Sequence, residues 1–144
     1  MNGTLEHTPG GPRLRFTRRL AHPPGRVWRT ITEPGELAAW FPDAIAVEPA
    51  TLLEFRWGTD VIRLELEPDG DGTRLTFLDT IDELGKAARD GAGWHVCLDR
   101  LELHLGGASA PWSTSERWRQ LHPSYVDALG PEAATIGPPD GALG

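Results

Sequence analysis

The apolar positions of this chain change their spacing several times, and each change marks an element. Over residues 13–20, Leu14, Phe16 and Leu20 share one face of a two-residue period, with arginines between them, as in a half-buried strand. Pro23 and Pro24 stop that strand and preset a helix in which Val27, Trp28 and Ile31 recur at helical spacing. A second short helix follows, with Pro34 near its first turn, Leu37, Ala38, Trp40 and Phe41 as its apolar content, and Pro42 at its end. A weaker strand is expected at 45–48, and then an antiparallel meander. Residues 51–58 put Leu53, Phe55 and Trp57 on one face; 61–67 set Ile62, Leu64 and Leu66 against Arg63, Glu65 and Glu67; 74–80 turn Leu75 and Phe77 inward. The run Pro68-Asp69-Gly70-Asp71-Gly72 reads as the tight turn before that last strand, with too few ligands for calcium.

The spacing then turns helical for longest over 83–105, where Ala87, Trp94, Leu98, Leu101 and Leu105 form one stripe with Cys97 alongside, and Gly106-Gly107 end it. Such a stripe has to lie on the sheet. After a loop over 109–115, Trp118, Leu121, His122, Tyr125, Val126 and Leu129 repeat at helical intervals despite Pro123, which predicts a further amphipathic helix docked on the body. Gly3, Pro9, Gly10, Gly11 and Pro12 make 1–12 read as a flexible lead-in. The division expected is therefore a lead-in (1–12), a folded domain (13–107), a docked helical extension (108–130) and a Gly/Pro-rich tail (131–144), with no internal repeat.

Composition narrows the partners. With 144 residues the chain is sized for one domain. Fourteen Lys+Arg against 21 Asp+Glu leave a net charge of -7, which repels a phosphate backbone. Arg13, Arg15, Arg18 and Arg19 cluster, but in a strand pattern, so they read as a solvated strand edge and not as a nucleic-acid patch. Cys97 is the single cysteine, so no internal disulfide forms and a reducing compartment fits. No run approaches the roughly 18 apolar residues that span a bilayer, and no signal-peptide core opens the chain. A cytoplasmic protein that engages neither membrane nor nucleic acid is expected.

The order of elements resembles the START-like helix-grip superfamily, also called SRPBCC. The wording is closer still: Pro23-Pro24-Gly25-Arg26-Val27-Trp28-Arg29-Thr30-Ile31-Thr32-Glu33-Pro34, followed by Leu37-Ala38-Ala39-Trp40-Phe41-Pro42, resembles the opening motif of the branch named after the activator of the heat-shock-protein-ninety ATPase. Ala92-Gly93-Trp94-His95-Val96-Cys97-Leu98-Asp99-Arg100-Leu101 resembles that branch's long-helix motif, and residues 125–139 are similar to the C-terminus of some bacterial members. The resemblance implies an α+β helix-grip fold: a curved antiparallel sheet packed on a long C-terminal helix, with two short helices after the first strand. Members carry a glycine-rich hairpin strand and part of its partner after the Trp-Phe-Pro motif, where this chain has only Asp43 and Ala44. A sheet shortened by a strand or more is therefore expected, its pocket smaller, open at one edge, or completed by a second chain pairing there.

In that superfamily the volume between long helix and sheet holds apolar ligands, which nominates Phe55, Trp57, Leu64, Leu66, Phe77, Trp94, Leu98 and Leu101 as lining residues, although an apolar stripe is more often plain core. Arg18 falls on the same strand face as Phe16 and Leu20. Either it points inward and pairs with Asp79, which shares the inward register of Leu75 and Phe77, or a strand irregularity turns it to solvent, and the second reading is favoured. If inward, Arg18 is the residue to hold a ligand's polar end. His95 and Asp99 meet at i and i+4 with Glu102 nearby; a helix-surface hydrogen bond or a contact to the tail outweighs catalysis or metal binding. His104 and His122 have no ligand spacing, and Cys97 reads as an inert buried thiol.

Function is expected to be binding of a small apolar or amphipathic molecule, without catalysis, metal or cofactor. A protein-interaction or stress-related chaperone-associated module acting through an exposed sheet edge, with a homodimer through the edge left by the missing strand, is the alternative, and a small cyclase or hydrolase using the pocket the second alternative.

Overall fold

In a computed structural model, described here over residues 3–33, 52–57 and 60–136, with 52–57 as strand backbone only, the chain forms an antiparallel sheet gripping a long helix. Strands β1 (Thr4–Thr8) and β2 (Gly11–Leu20) precede helix α1 (Pro24–Thr32). Strands β3 (Leu52–Trp57), β4 (Asp60–Asp69) and β5 (Gly72–Thr80) follow, then α2 (Ala87–Leu105) and α3 (Thr114–Leu129). The strand order is β1-β2-β5-β4-β3. The expected second short helix and the weak strand at 45–48 lie outside the described residues.

The lead-in is corrected. Residues 4–8 are not loose but pair along β2 from Thr4↔Arg15 to Thr8↔Gly11. Pro9-Gly10 supplies the turn, Gly11 takes φ 121°, and Thr8 Oγ1 donates to the Gly11 carbonyl at 2.7 Å. A hairpin ladder pairs backbone groups whatever the apolar content, which is why composition concealed it. Glu6 adds a carboxylate that accepts from both Arg13 (3.2 Å) and Arg15 (3.0 Å).

Strand β2 keeps its two-residue period without a bulge: pairing with β5 runs unbroken from Arg13↔Thr80 to Leu20↔Thr73. Leu14, Phe16, Arg18 and Leu20 therefore all face inward and all are buried. The outward reading of Arg18 is thereby overturned. From β4 and β5, Ile62, Leu64, Leu75 and Phe77 join the same face, and the Asp69–Gly72 connection is the tight turn its residues predict, with Gly70 at φ 62°.

Helix α2 follows a short 3-10 turn (Leu84–Lys86) and ends in a Schellman motif: Gly107 at φ 79°, with Ala108 N–H donating to the Leu103 carbonyl at 2.8 Å. Its stripe of Trp94, Leu98, Leu101 and Leu105 is buried in the core that also takes in the sheet's inner face. Helix α3 starts at the N-cap Ser113, whose hydroxyl accepts from Glu116 N–H, and continues through Pro123. It packs on α2 through Trp118, whose indole donates to the Arg89 carbonyl at 3.0 Å, and Tyr125, whose ring lies over Gly91. The tail is also corrected over its first residues. Pro131–Ala134 form a 3-10 turn with Ala133 buried, and Ile136 N–H donates to the Gly85 carbonyl at 3.1 Å, so this stretch is tied to the start of α2. No helix among the described residues is long and apolar enough to cross a membrane.

Candidate functional site

The volume between α2 and the sheet has an apolar middle and two polar ends. In the middle, Leu64, Phe77, Leu98 and Leu101 retain no exposed surface, and Phe77 stacks obliquely on Trp94 with ring centres 4.9 Å apart. Phe16 meets Phe77 edge to face at 6.0 Å. Among the described residues this middle is packed shut. Leu66, also expected there, is only partly buried, at the edge of the core. Phe55 and Trp57 lie on β3, whose side chains are outside the described residues.

The first polar end is built around Arg18. The structure does not pair it with Asp79: along β5, Asp79 faces Leu14 while Arg18 faces Leu75, four residues away, roughly 13 Å at strand rise. Instead Arg18 reaches across to α2, where Nη1 donates to Asp99 Oδ1 at 3.0 Å and to Glu102 Oε1 at 3.1 Å. Its Nε and Nη2 are buried and have no acceptor. Asp99 Oδ2 accepts a second guanidinium, Arg117 of α3, from Nε at 3.3 Å and Nη2 at 3.2 Å.

His95 completes this end and is more deeply placed than its helix spacing implied. It is buried, with Nδ1 2.8 Å from the Tyr125 hydroxyl and Nε2 3.5 Å from Asp99 Oδ2. Gly3 N–H donates to that same hydroxyl oxygen at 2.8 Å. The Asp99 carboxylate beside Nε2 can only accept, which favours the imidazole proton on Nε2 and leaves Nδ1 to accept from the Tyr125 hydroxyl. Burial lowers the His95 pKa to about 4 against the opposing pull of Asp99, with Arg18 and Arg117 adding to the lowering, so the ring is neutral near pH 7. Burial likewise pushes the Tyr125 hydroxyl up to about 12. With both ring nitrogens engaged, His95 has no lone pair to offer as a base.

The second polar end lies where α2 begins. Trp94 Nε1 donates to Asp79 Oδ2 at 2.8 Å, while Oδ1 has no N–H or hydroxyl donor. What faces it is another acid, Asp60, the first residue of β4. Asp79 has no exposed surface, and burial, reinforced by Asp60, pushes its pKa up to about 9. Cys97 is buried and its thiol is pushed up to about 12 by burial, which leaves no thiolate at neutral pH.

Of the residues singled out from sequence, Arg18, Asp99, Glu102 and His95 come together, while Asp79 belongs to the opposite end. Arg117, Tyr125 and Asp60 were missed as polar partners. Gly91, one turn before His95, was the available signal: it leaves room on that helix face for an aromatic ring.

No protein-family model matches the chain, and neither does any curated protein. Solved structures do. CalU16 from Micromonospora echinospora aligns with TM-score 0.68 at 18% identity, over 88% of this chain and 95% of that one. EF2215, a conserved protein of unknown function from Enterococcus faecalis, aligns with TM-score 0.71 at 20% identity, over 88% and 90%. DynU16, a protein of the dynemicin biosynthetic locus, aligns with TM-score 0.58 at 22% identity, over 65% of this chain and 47% of that one. At these identities the likeness establishes the shared fold, an α+β helix-grip architecture.

Proposed function

We propose that this domain binds a small, largely apolar molecule between α2 and the sheet, without transforming it, and that Arg18 receives the molecule's polar oxygen. The observation that carries this reading is the buried guanidinium of Arg18, with Nε and Nη2 unengaged at the edge of an apolar interior. Two such donors set in parallel are a ready receptor for an oxygen acceptor. Arg18 and Arg117 already stand against Asp99 and Glu102, so a neutral carbonyl or hydroxyl suits the site better than a further anion. Because Leu64, Phe77, Leu98 and Leu101 are packed against one another, the ligand enters by displacing side chains.

Binding without catalysis is favoured by the engaged nitrogens of His95 and the protonated thiol of Cys97. The occurrence of DynU16 in a biosynthetic locus agrees with a small organic ligand. The motifs at 23–42 and 92–101 support a place in the branch named after the heat-shock ATPase activator, and a lone buried thiol suits a reducing, cytoplasmic setting. A second reading has another copy of the chain pairing along β3, the last strand in the sheet order among the described residues.

Native mass spectrometry of the protein purified from its own cells tests the first reading. A one-to-one adduct of small-molecule mass, weakened in Arg18→Met, is expected. A protein free of adduct whose tryptophan fluorescence is also unmoved by a fatty alcohol, a sterol and a fused-ring aromatic ketone overturns it. A concentration-dependent dimer in the same spectra would instead favour pairing through β3.

A further inference from the structure

The opposite polar end of the interior brings three carboxylates together from three separate elements: Asp60 opening β4, Asp79 on β5 and Asp90 in the first turn of α2. One oxygen from each lies within 4.8 Å of the other two. That is about twice a calcium–oxygen bond of ~2.4 Å, the widest separation that two ligands of one ion can have. Asp79 is wholly buried, its Oδ2 is fixed by the Trp94 indole, and its Oδ1 meets no donor. Among the described residues, the Arg89 guanidinium neutralises Asp90 from one side, Nε to Oδ1 at 2.8 Å, and Lys86 Nζ is bonded to Asp82 at 2.7 Å, while neither makes a hydrogen bond to Asp79.

Acids facing one another in a buried space need a positive charge between them, which is either a proton or a cation. We propose that Asp60, Asp79 and Asp90 form a site for a hard divalent cation, of the calcium or manganese kind, which ties the start of α2 to strands β4 and β5. The donor set is all oxygen and all carboxylate, which suits such ions and disfavours zinc or copper. Water completes the shell on the side of Asp90, whose side chain keeps 18% of its surface, and of Asp60, which is 8% exposed. The indole bonded to Asp79 orients that carboxylate in the way that outer partners orient metal ligands. No sequence spacing announces the site, because each ligand comes from a different element.

Terbium is the probe, since an ion held by Asp79 would lie within a few ångströms of the Trp94 ring, close enough for the indole to sensitise its emission. The full chain, stripped with EGTA, is titrated with terbium under tryptophan excitation, and its thermal midpoint is followed with added calcium or manganese. Emission saturating at one equivalent, displaced by calcium or manganese, is expected, together with a midpoint that rises with the ion. Asp79→Asn, which preserves shape and the indole bond, should lose both responses, Asp90→Asn should weaken affinity at least tenfold, and Trp94→Phe should lose the emission while keeping the midpoint shift. Emission no greater than that of Asp79→Asn, with a wild-type midpoint indifferent to millimolar calcium and manganese, overturns the proposal and leaves a proton shared by two acids. None of these readouts depends on the small-molecule reading, because Arg18 lies at the other end of the interior.

Discussion

Arg18 and Asp99, 81 residues apart in sequence, are joined by a 3.0 Å ion pair that fastens strand β2 to helix α2. The partners are unequally supplied. Asp99 has Arg117 as a second cation, whereas Arg18 has, among the described residues, only Glu102 besides, and Glu102 is 42% exposed at its side chain. Removing one partner of a buried pair costs about 3–5 kcal/mol when the other is left uncompensated. Asp99→Ala, which strands the guanidinium, should fall in that range, and Arg18→Met, which leaves Asp99 with Arg117, should cost clearly less. Urea unfolding of the two variants and of the double variant reads this directly, and the reverse order of cost would refute the assignment.

The two polar ends should give stability opposite slopes in pH, as measured in EGTA. His95 titrates near 6.5 when unfolded and near 4 when folded, so between those values only the unfolded chain takes up its proton, and stability falls as pH drops through that window. Asp79 holds a proton in the folded state up to about pH 9, whereas the unfolded chain releases it near 3.8, so this group lowers stability as pH rises. Above pH 6.5 only the Asp79 slope remains, at most about 1.4 kcal/mol per pH unit. Denaturation midpoints at pH 5, 7 and 8.5 should therefore decline on the alkaline side in the native sequence and stay flat in Asp79→Asn. His95→Gln should reduce the acid-side weakening, to which His122, lowered by burial, still contributes, and leave the alkaline slope unchanged.

The Tyr125 hydroxyl links the start of β1 to α2 and α3, since it accepts from Gly3 N–H and bonds His95 Nδ1, each at 2.8 Å. Tyr125→Phe removes both bonds and keeps the ring over Gly91. Leaving buried polar groups without partners costs about 1–3 kcal/mol each. The expected result is a loss in that range and faster amide exchange in residues 3–6, relative to the β4–β5 hairpin. Unchanged exchange at the N-terminus would mean that β1 holds to β2 without this anchor.

The alternation of β2, β4 and β5 and the stripe of α2 were legible because side-chain period follows directly from backbone geometry. The partner of Arg18 was not, because choosing between Asp79 and Asp99 requires the β2–β5 register and the rotation of α2 about its axis. Both are settled by tertiary packing. With Arg18 opposite Leu75, Asp79 is out of reach. The burial of His95 was hidden for a similar reason: its helix face is exposed until α3 docks, and the depth of that docking depends on the lack of a side chain at Gly91. Strand β1 escaped because its support is a backbone ladder, the Glu6 ion pairs and one hydroxyl, with Leu5 as a single apolar contact, and none of these leaves a hydrophobic pattern.

Gly91 and Gly93 make a sharper test of that docking, because they share helix α2 and differ in what lies beyond them. A methyl added at Gly91 would sit 2.9 Å from Tyr125 Cδ1, whereas one added at Gly93 meets nothing within 4 Å. Alanine in place of a helical glycine gains about 0.5–1 kcal/mol from backbone entropy wherever space allows. Gly93→Ala should show that gain. Gly91→Ala has the same gain but must push back an aromatic ring that is 1% exposed and bonded at its hydroxyl, and overpacking of this kind costs about 1–3 kcal/mol. The pair should therefore move the thermal midpoint in opposite directions, up for Gly93→Ala and down for Gly91→Ala. The Gly91 variant should also loosen His95, which shares that hydroxyl, and raise the pH at which the imidazole titrates by NMR. If both alanines stabilise the protein equally, α3 is not seated against Gly91, and the shielding of His95 must come from elsewhere.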